Sequence, residues 1–289
     1  MKTYLDKNVY EAALERIAYC FQEFDNVLVA FSGGKDSGVL LNLCYNYADE
    51  HGLLDKLTMY HLDYEAQYQM TTEYVTRTFL EQFPGIRKMW YCVPIKAQSA
   101  CALGEPYWTP WDAAKKKLWV RAMPENPYVV HEGNLDVPFR HGMVDYEFQD
   151  KLSRHFAKKR GTTAVMVGLR ADESPNRYAA VARGKKRRSY EGRKWITQTS
   201  AVTANVYPLY DWRVSDIWTA TARFGFDYNR LYDLLYQAGL TAGQMRVASP
   251  FNDCAQESLK LYKVIDPSNW ARMIGRVNGV NFTGLYGGT

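Results

Sequence analysis

The 289-residue sequence is poor in cysteine, and its cysteines do not pair. Cys20, Cys44, Cys92, Cys101 and Cys254 are an odd number with no Cys-x-x-Cys spacing. Neither a disulfide framework nor a zinc ribbon is indicated. No run approaches the ~18 apolar residues of a membrane span, so no membrane partner is expected. The opening Met1-Lys-Thr-Tyr-Leu-Asp6 lacks the basic-then-apolar layout of a signal peptide. The expected compartment is the cytoplasm. Internal repeats and low-complexity tracts are also missing. Charge of one sign is in short supply: 36 Lys and Arg stand against 31 Asp and Glu, a net of +5. Even that excess is local. Residues 183–194 hold seven basic groups and one acid, and the remaining chain has 29 basic against 30 acidic residues.

What the chain does have is core-forming material. Hydrophobic residues make up 47% and charged residues 23%, a balance that argues against wholesale disorder. The length suits one or two domains. Residues 9–24 carry Ala13, Ile17, Cys20 and Phe24 at helical spacing. The continuous apolar run Val27–Phe31 suits a strand buried on both faces. It breaks at Ser32-Gly-Gly-Lys-Asp-Ser37, and a second helix follows. Strands are expected again at 57–62, 88–95, 162–168 and within 201–209, with helices around 70–79 and 144–160. This alternation predicts a doubly wound, largely parallel five-stranded α/β sheet with helices on both faces. Residues 96–142, rich in Trp, Pro and Gly, break the pattern and read as an insertion or lid. The expected division is a nucleotide-binding α/β domain over 1–212, including that insertion, and a helical region over 213–289 packed on it.

Ligands of such sheets bind beyond the carboxyl ends of the strands. Ser32–Ser37, Asp63 and Leu169–Arg177 all fall there. Gly33 and Gly34 let backbone approach a ligand without a Cβ in the way. The helix that opens next offers its N-terminal amides to an anion. Lys35 adds a full positive charge, and Ser32 and Ser37 add hydroxyls. This is not a Walker A loop. Val29 sits where that motif needs its first Gly, and Asp36 sits where it needs Ser or Thr.

Ser32-Gly-Gly-Lys-Asp-Ser37 resembles the PP-loop of the ATP pyrophosphatase, or adenine nucleotide α-hydrolase, superfamily. Gly168-Leu-Arg-Ala-Asp-Glu-Ser-Pro-Asn-Arg177 resembles the Gly-x-Arg-x-Asp-Glu-Ser motif of the phosphoadenosine phosphosulfate (PAPS) reductase family. Tyr207-Pro-Leu-Tyr-Asp-Trp-Arg-Val-Ser-Asp-Ile-Trp218 and Tyr228-Asn-Arg-Leu-Tyr232 resemble two further segments of that family. The resemblance spans roughly residues 10–240. It implies an adenine nucleotide, ATP or one like PAPS, together with Mg²⁺. It places the outer phosphates on Gly33, Gly34, Lys35 and Ser37, and the adenine on the backbone of Ala30 and Phe31. Gly168 opens the second motif. Arg170 and Arg177 are forked donors suited to phosphate or sulfate oxygens; Arg177 could instead pair with Asp172 or Glu173. Asp36 is a candidate Mg²⁺ ligand or a helix-start carboxylate favoured by the dipole. Asp63 is expected near the adenosine, or as a cap for the next helix. Lys35, Asp36 and Arg170 are the candidate catalytic residues.

The Glu-Cys-Gly motif that sulfonucleotide reductases share is missing, which argues against thiol-based reduction. Cys254 is the one late cysteine. The remaining superfamily chemistry is cleavage of ATP between its α- and β-phosphates. The Trp-rich middle and the tail from Phe251 to Phe282 resemble the DUF3440 (immunoglobulin-binding regulator A) type of bacteria and phages, and this implies a ParB-like partner. Three readings stay open for residues 183–194: a solvated loop, a clamp over phosphates, which the basic segment of related enzymes supports, and a nucleic-acid footprint. The tryptophans of the insertion could stack bases or pack a core.

Overall fold

The structure, a computed structural model, describes residues 6–102, 104–182 and 189–286. The main sheet has eight strands: β1 (Asn26–Ala30), β2 (Leu57–Leu62), β3 (Arg87–Cys92), β4 (Val129–His131), β5 (Thr163–Val167), β6 (Ser189–Tyr190), β7 (Arg193–Gln198) and β8 (Thr203–Val206). Their spatial order is β4-β3-β2-β1-β5-β8-β7-β6. The first six in that order run parallel; β7 pairs antiparallel with β8, and β6 pairs antiparallel with β7. All five expected strands are present. The three additional ones lie at the edges, where a strand of two to six residues with polar positions leaves no apolar run to read.

The helices are α1 (Val9–Glu23), α2 (Lys35–Glu50), α3 (Gln69–Glu81), α4 (Asp145–Arg160), α5 (Pro175–Ala182), α6 (Val214–Phe224), α7 (Leu231–Gln237), α8 (Gln256–Lys260), α9 (Tyr262–Ile265), α10 (Pro267–Arg276) and α11 (Val280–Tyr286). The helical C-terminal region is therefore present. Strand periodicity divides β1 between the two faces. Val27 and Val29 pack with Ile17 and Cys20 of α1, Leu40 and Leu43 of α2 and Val75 of α3. Leu28 packs on the opposite face with Phe148, Leu152 and Phe156 of α4. Helix α1 starts at a capping box, in which Asn8 accepts from the Glu11 amide and Glu11 accepts from the Asn8 amide.

A third apolar cluster joins the insertion to the C-terminal region. Ala97, Cys101, Trp108 and Val120 pack with Tyr232, Phe251, Tyr262, Met273 and Val280. Trp108 and Trp111 are buried and Trp119 is half-buried. Trp111 and Trp119 donate their indole N–H groups to the carbonyls of Asp63 and Asp112. These tryptophans pack the core. Among the described residues no helix is long and apolar enough to cross a membrane.

One carboxylate ties the three parts together. Glu65, fully buried just after β2, accepts both Nε and Nη2 of Arg276 at 2.9 and 3.0 Å. It also accepts the amides of Trp111 and Val120, at 2.6 and 3.0 Å. Removing one partner of a buried pair strands the other charge. Arg276→Met should therefore lower the free energy of unfolding by about 3–5 kcal/mol in urea titrations; a loss under about 1 kcal/mol would mean that Glu65 finds other compensation.

Candidate nucleotide site

The chain leaves β1 at Ala30 and turns into α2 through Ser32–Gly34. Gly33 has φ +78°, the left-handed region, and a Cβ there would stand 2.9 Å from Val75 Cγ2. The two serines shape the loop. Their hydroxyls lie 2.9 Å apart, Ser37 Oγ accepts the Ser32 amide, and Ser37 Oγ donates to the Gly34 carbonyl. Helix α2 begins with Gly34 as N-cap, so its first-turn amides have no partner within the helix. One of them, that of Lys35, donates to the Tyr232 hydroxyl at 3.2 Å.

Lys35 is buried, pairs with Asp36 at 3.0 Å, and sits 5.3 Å from the Tyr232 ring centre. Asp36 also accepts Nε of Arg170, which is itself buried and bonded to Asp172. Burial works against the Asp36 charge, but Lys35 and Arg170 outweigh it and hold its carboxyl below the usual range. The Arg170 guanidinium is likewise held charged, since Asp36, Asp172 and Glu173 overcome its burial. Arg177 pairs with Glu173 at 3.2 Å. The loop and the arginine motif, 134 residues apart at Asp36 and Arg170, thus meet directly. They do so at the ends of β1 and β5, where the strand order turns back on itself. Close approach is possible because residue 168 is glycine: a Cβ there would lie 2.9 Å from the Ser37 nitrogen.

Two other candidates have their polar groups engaged inside the protein. The Phe31 amide donates to the Tyr60 carbonyl, and the Phe31 carbonyl faces His61 Nδ1 at 2.9 Å. Asp63 is fully buried. Its carboxylate accepts from Trp90 Nε1, the Glu65 amide and Arg121 Nη2, at 2.7, 2.8 and 2.6 Å. Burial opposes its charge, yet Arg121 and His61 keep its carboxyl low. Asp63 does not cap α3. The N-cap is Tyr68, and Asp266 accepts the first amide, that of Gln69. Ala30 ends β1, half-buried.

The sequence reading gave no roles to Asn229, Tyr232 or Arg246. Asn229 donates to the Gly33 carbonyl and to Thr71 Oγ1, so with Tyr232 it braces the loop from behind. The Tyr-Asn-x-Leu-Tyr motif was the available signal for both. Arg246 pairs with Glu173 at 3.1 Å, and no motif pointed to it. Of the basic segment, residues 183–188 lie outside the described residues. Its end forms β6 and the start of β7, where Arg193 pairs with Glu191 at 2.8 Å and stacks over Tyr19. A groove of about 670 Å³ runs along α3 beside Arg121 and Asn126, and no residue of the loop lines it.

Residues 26–238 match the family model of the phosphoadenosine phosphosulfate reductase domain. Residues 239–289 match DUF3440, a domain of unknown function. The chain is 36% identical over 287 residues to the uncharacterized protein YbdN of Escherichia coli K12, covering 98% of this chain and 69% of that protein. Among solved structures it is similar to PAPS reductase from Candida auris in a phosphate complex, with TM-score 0.45, 14% identity, and 86% and 97% of the two chains covered. It is also similar to FMN adenylyltransferase from Candida glabrata in complex with ATP, with TM-score 0.41, 14% identity, and coverage of 80% and 62%.

Two outcomes follow from the geometry. Gly168→Ala should push β5 off the loop and cost about 1–3 kcal/mol of stability, because the new Cβ meets backbone that cannot swing aside; urea titration checks this. The lowered Asp63 carboxyl contributes stability above its unfolded value of about 3.9, and loses it as pH falls through the folded value. Urea midpoints should therefore drop below pH 4 in the wild type and less steeply in Asp63→Asn.

Proposed function

We propose, for a chain that belongs to the phosphoadenosine phosphosulfate reductase domain family, that it binds ATP and cleaves it between the α- and β-phosphates. The observation that carries this reading is the joining of Lys35, Asp36 and Arg170 in one buried cluster at the N-terminus of α2. In it, two cations and a row of helix amides stand at the turning point of a parallel sheet, where such folds take their ligands.

In this reading an acceptor oxygen, from sulfate or another oxyanion, attacks the α-phosphorus. The bond from the α-phosphorus to the bridging oxygen breaks, and pyrophosphate leaves with the electron pair. The first-turn amides, Lys35 and Arg170 stabilise the charge gathering on that leaving group. Gly33 and Gly34 admit it to the backbone. The positive groups are already paired, though not fully neutralised, with Asp36, Asp172 and Glu173, so the nucleotide exchanges places with carboxylates instead of entering a naked cationic pocket.

Mg²⁺ fits the arrangement in a limited way. No cluster of three or more His, Cys, Asp or Glu suited to a metal exists among the described residues. Mg²⁺ is commonly held by one or two carboxylates and substrate phosphates, and Asp36 is the carboxylate in position to share it. Bound there, the ion would neutralise phosphate charge.

The reductase reading has less support. Burial pushes up the thiols of Cys20, Cys44, Cys92 and Cys101, which leaves exposed Cys254 as the one accessible thiol. Incubation with α-labelled ATP, Mg²⁺ and sulfate separates the possibilities. AMP or an adenylylated product with pyrophosphate is expected. Release of ADP and phosphate would sink the proposal. In a parallel incubation with PAPS and reduced thioredoxin as the electron donor, sulfite release that is lost in Cys254→Ser would favour a reductase. Tight ATP binding without turnover until a ParB-like protein is added would favour a regulatory subunit. Lys35→Ala should weaken ATP binding by about tenfold or more, the weight of one charge-assisted contact.

A further inference from the structure

We infer that Arg246, carried by the C-terminal segment that matches the domain of unknown function, is a phosphate-binding residue that holds the outer phosphates of the nucleotide. The inference rests on the nucleotide reading of the loop.

Three observations lead to it. First, side chains on either side of Arg246 pack against the loop and the tyrosine that braces it. Met245 and Val247 are buried in one cluster with Tyr232, whose hydroxyl takes the Lys35 amide. Val247 Cγ2 lies 3.6 Å from where a Cβ on Gly34 would stand. Arg246, between them, is brought to the same place. Its charge is felt at the Tyr232 phenol, where it opposes the upward push of burial.

Second, the guanidinium is only partly engaged. Arg246 Nη1 lies 3.1 Å from Glu173 Oε1. Glu173 also faces Arg177 at 3.2 Å and Arg170 at 3.9 Å. Three guanidinium groups around one carboxylate leave positive charge uncompensated, and Asp172 and Asp36 are already drawn to Arg170. Arg246 Nε is buried with no hydrogen-bond partner. An arginine has five N–H donors, and about a fifth of this side chain stays open to solvent.

Third, the chemistry matches. A planar fork with unused donors suits a tetrahedral oxyanion. In the nucleotide reading the loop takes the β- and γ-phosphates, so a residue seated on the loop meets those and not the nucleoside. The two matched segments then build one site: the first supplies the loop and its brace, and the second supplies a cation.

The test is the ratio of ATP to AMP affinity, measured by calorimetry on the full chain, with thermal unfolding as a control. Arg246→Gln should weaken ATP by about tenfold, as expected for loss of a charge-assisted contact, and leave AMP within about twofold. Arg246→Lys, which keeps the charge and drops the fork, should fall between with AMP again unchanged. If Arg246→Gln fails to fold, the Lys variant decides by the same ratio. Wild-type ATP affinity in the folded variants, or equal losses for ATP and AMP, overturns the inference while Lys35→Ala still loses ATP. If Lys35→Ala also binds ATP normally, the nucleotide reading falls and the role of Arg246 falls with it.

Discussion

The Glu65–Arg276 pair is the constraint on which the arrangement of the molecule depends. A fully buried carboxylate is costly unless each of its oxygens is satisfied. Here the two oxygens take a bidentate guanidinium from α10 and two backbone amides from the insertion. The backbone at Glu65 stands at φ +64°, a conformation that costs a non-glycine residue about 1–3 kcal/mol. Such a turn persists only when its surroundings over-determine it, and these four donors do so. They also fix where the insertion and the C-terminal helices lie relative to the end of β2. Arg276 adds a bond to the Thr109 carbonyl at 2.6 Å, so the same guanidinium closes the insertion a second time.

Charge at the candidate nucleotide site is arranged differently. Around Glu65 every donor is internal and the side chains are sealed. Around Asp36 and Arg170 the cluster is shared among seven ionised groups, and its outer members stay open: Asp172 and Arg177 have side chains about 40% exposed. Ion pairs that are part solvated exchange partners at small cost, whereas a sealed bidentate pair does not. The sealed pair therefore sets the frame, and the open cluster can rearrange around an anion.

The parts legible in the sequence are those written in contiguous residues. Val27–Phe31, 57–62 and 162–168 are apolar runs because both faces of those strands are covered, and they emerge within a residue or two of expectation. The edge strands Val129–His131 and Ser189–Tyr190 were not legible, being short and half-solvated. The family motifs put the loop and the arginines at one site. What they could not show was how the charges balance: Arg177 chooses Glu173, and Arg170 lies among three carboxylates. Asp63 stood out as a polar residue at a strand end. Its partners Trp90 and Arg121 lie 27 and 58 residues away, and no local pattern encodes such a separation. The insertion gave no period for the same reason. Scattered apolar contacts with the C-terminal region and single long-range bonds from Trp111, Arg121 and Val120 hold it, not a repeating apolar face.

The basic excess illustrates the limit of composition as evidence. Outside 183–194 the chain is near neutral, yet four cations converge on the loop and its arginine motif. They do so because carboxylates were placed with them, so a dense cationic site adds almost nothing to the net charge. Arg193, within the basic segment, is likewise committed to Glu191 and Tyr19. Net charge measures what is left after pairing, while a binding site is built from what pairs reversibly. In the nucleotide reading the near-neutral body of this protein is what meets the anion, through opposite charges arranged close enough to exchange.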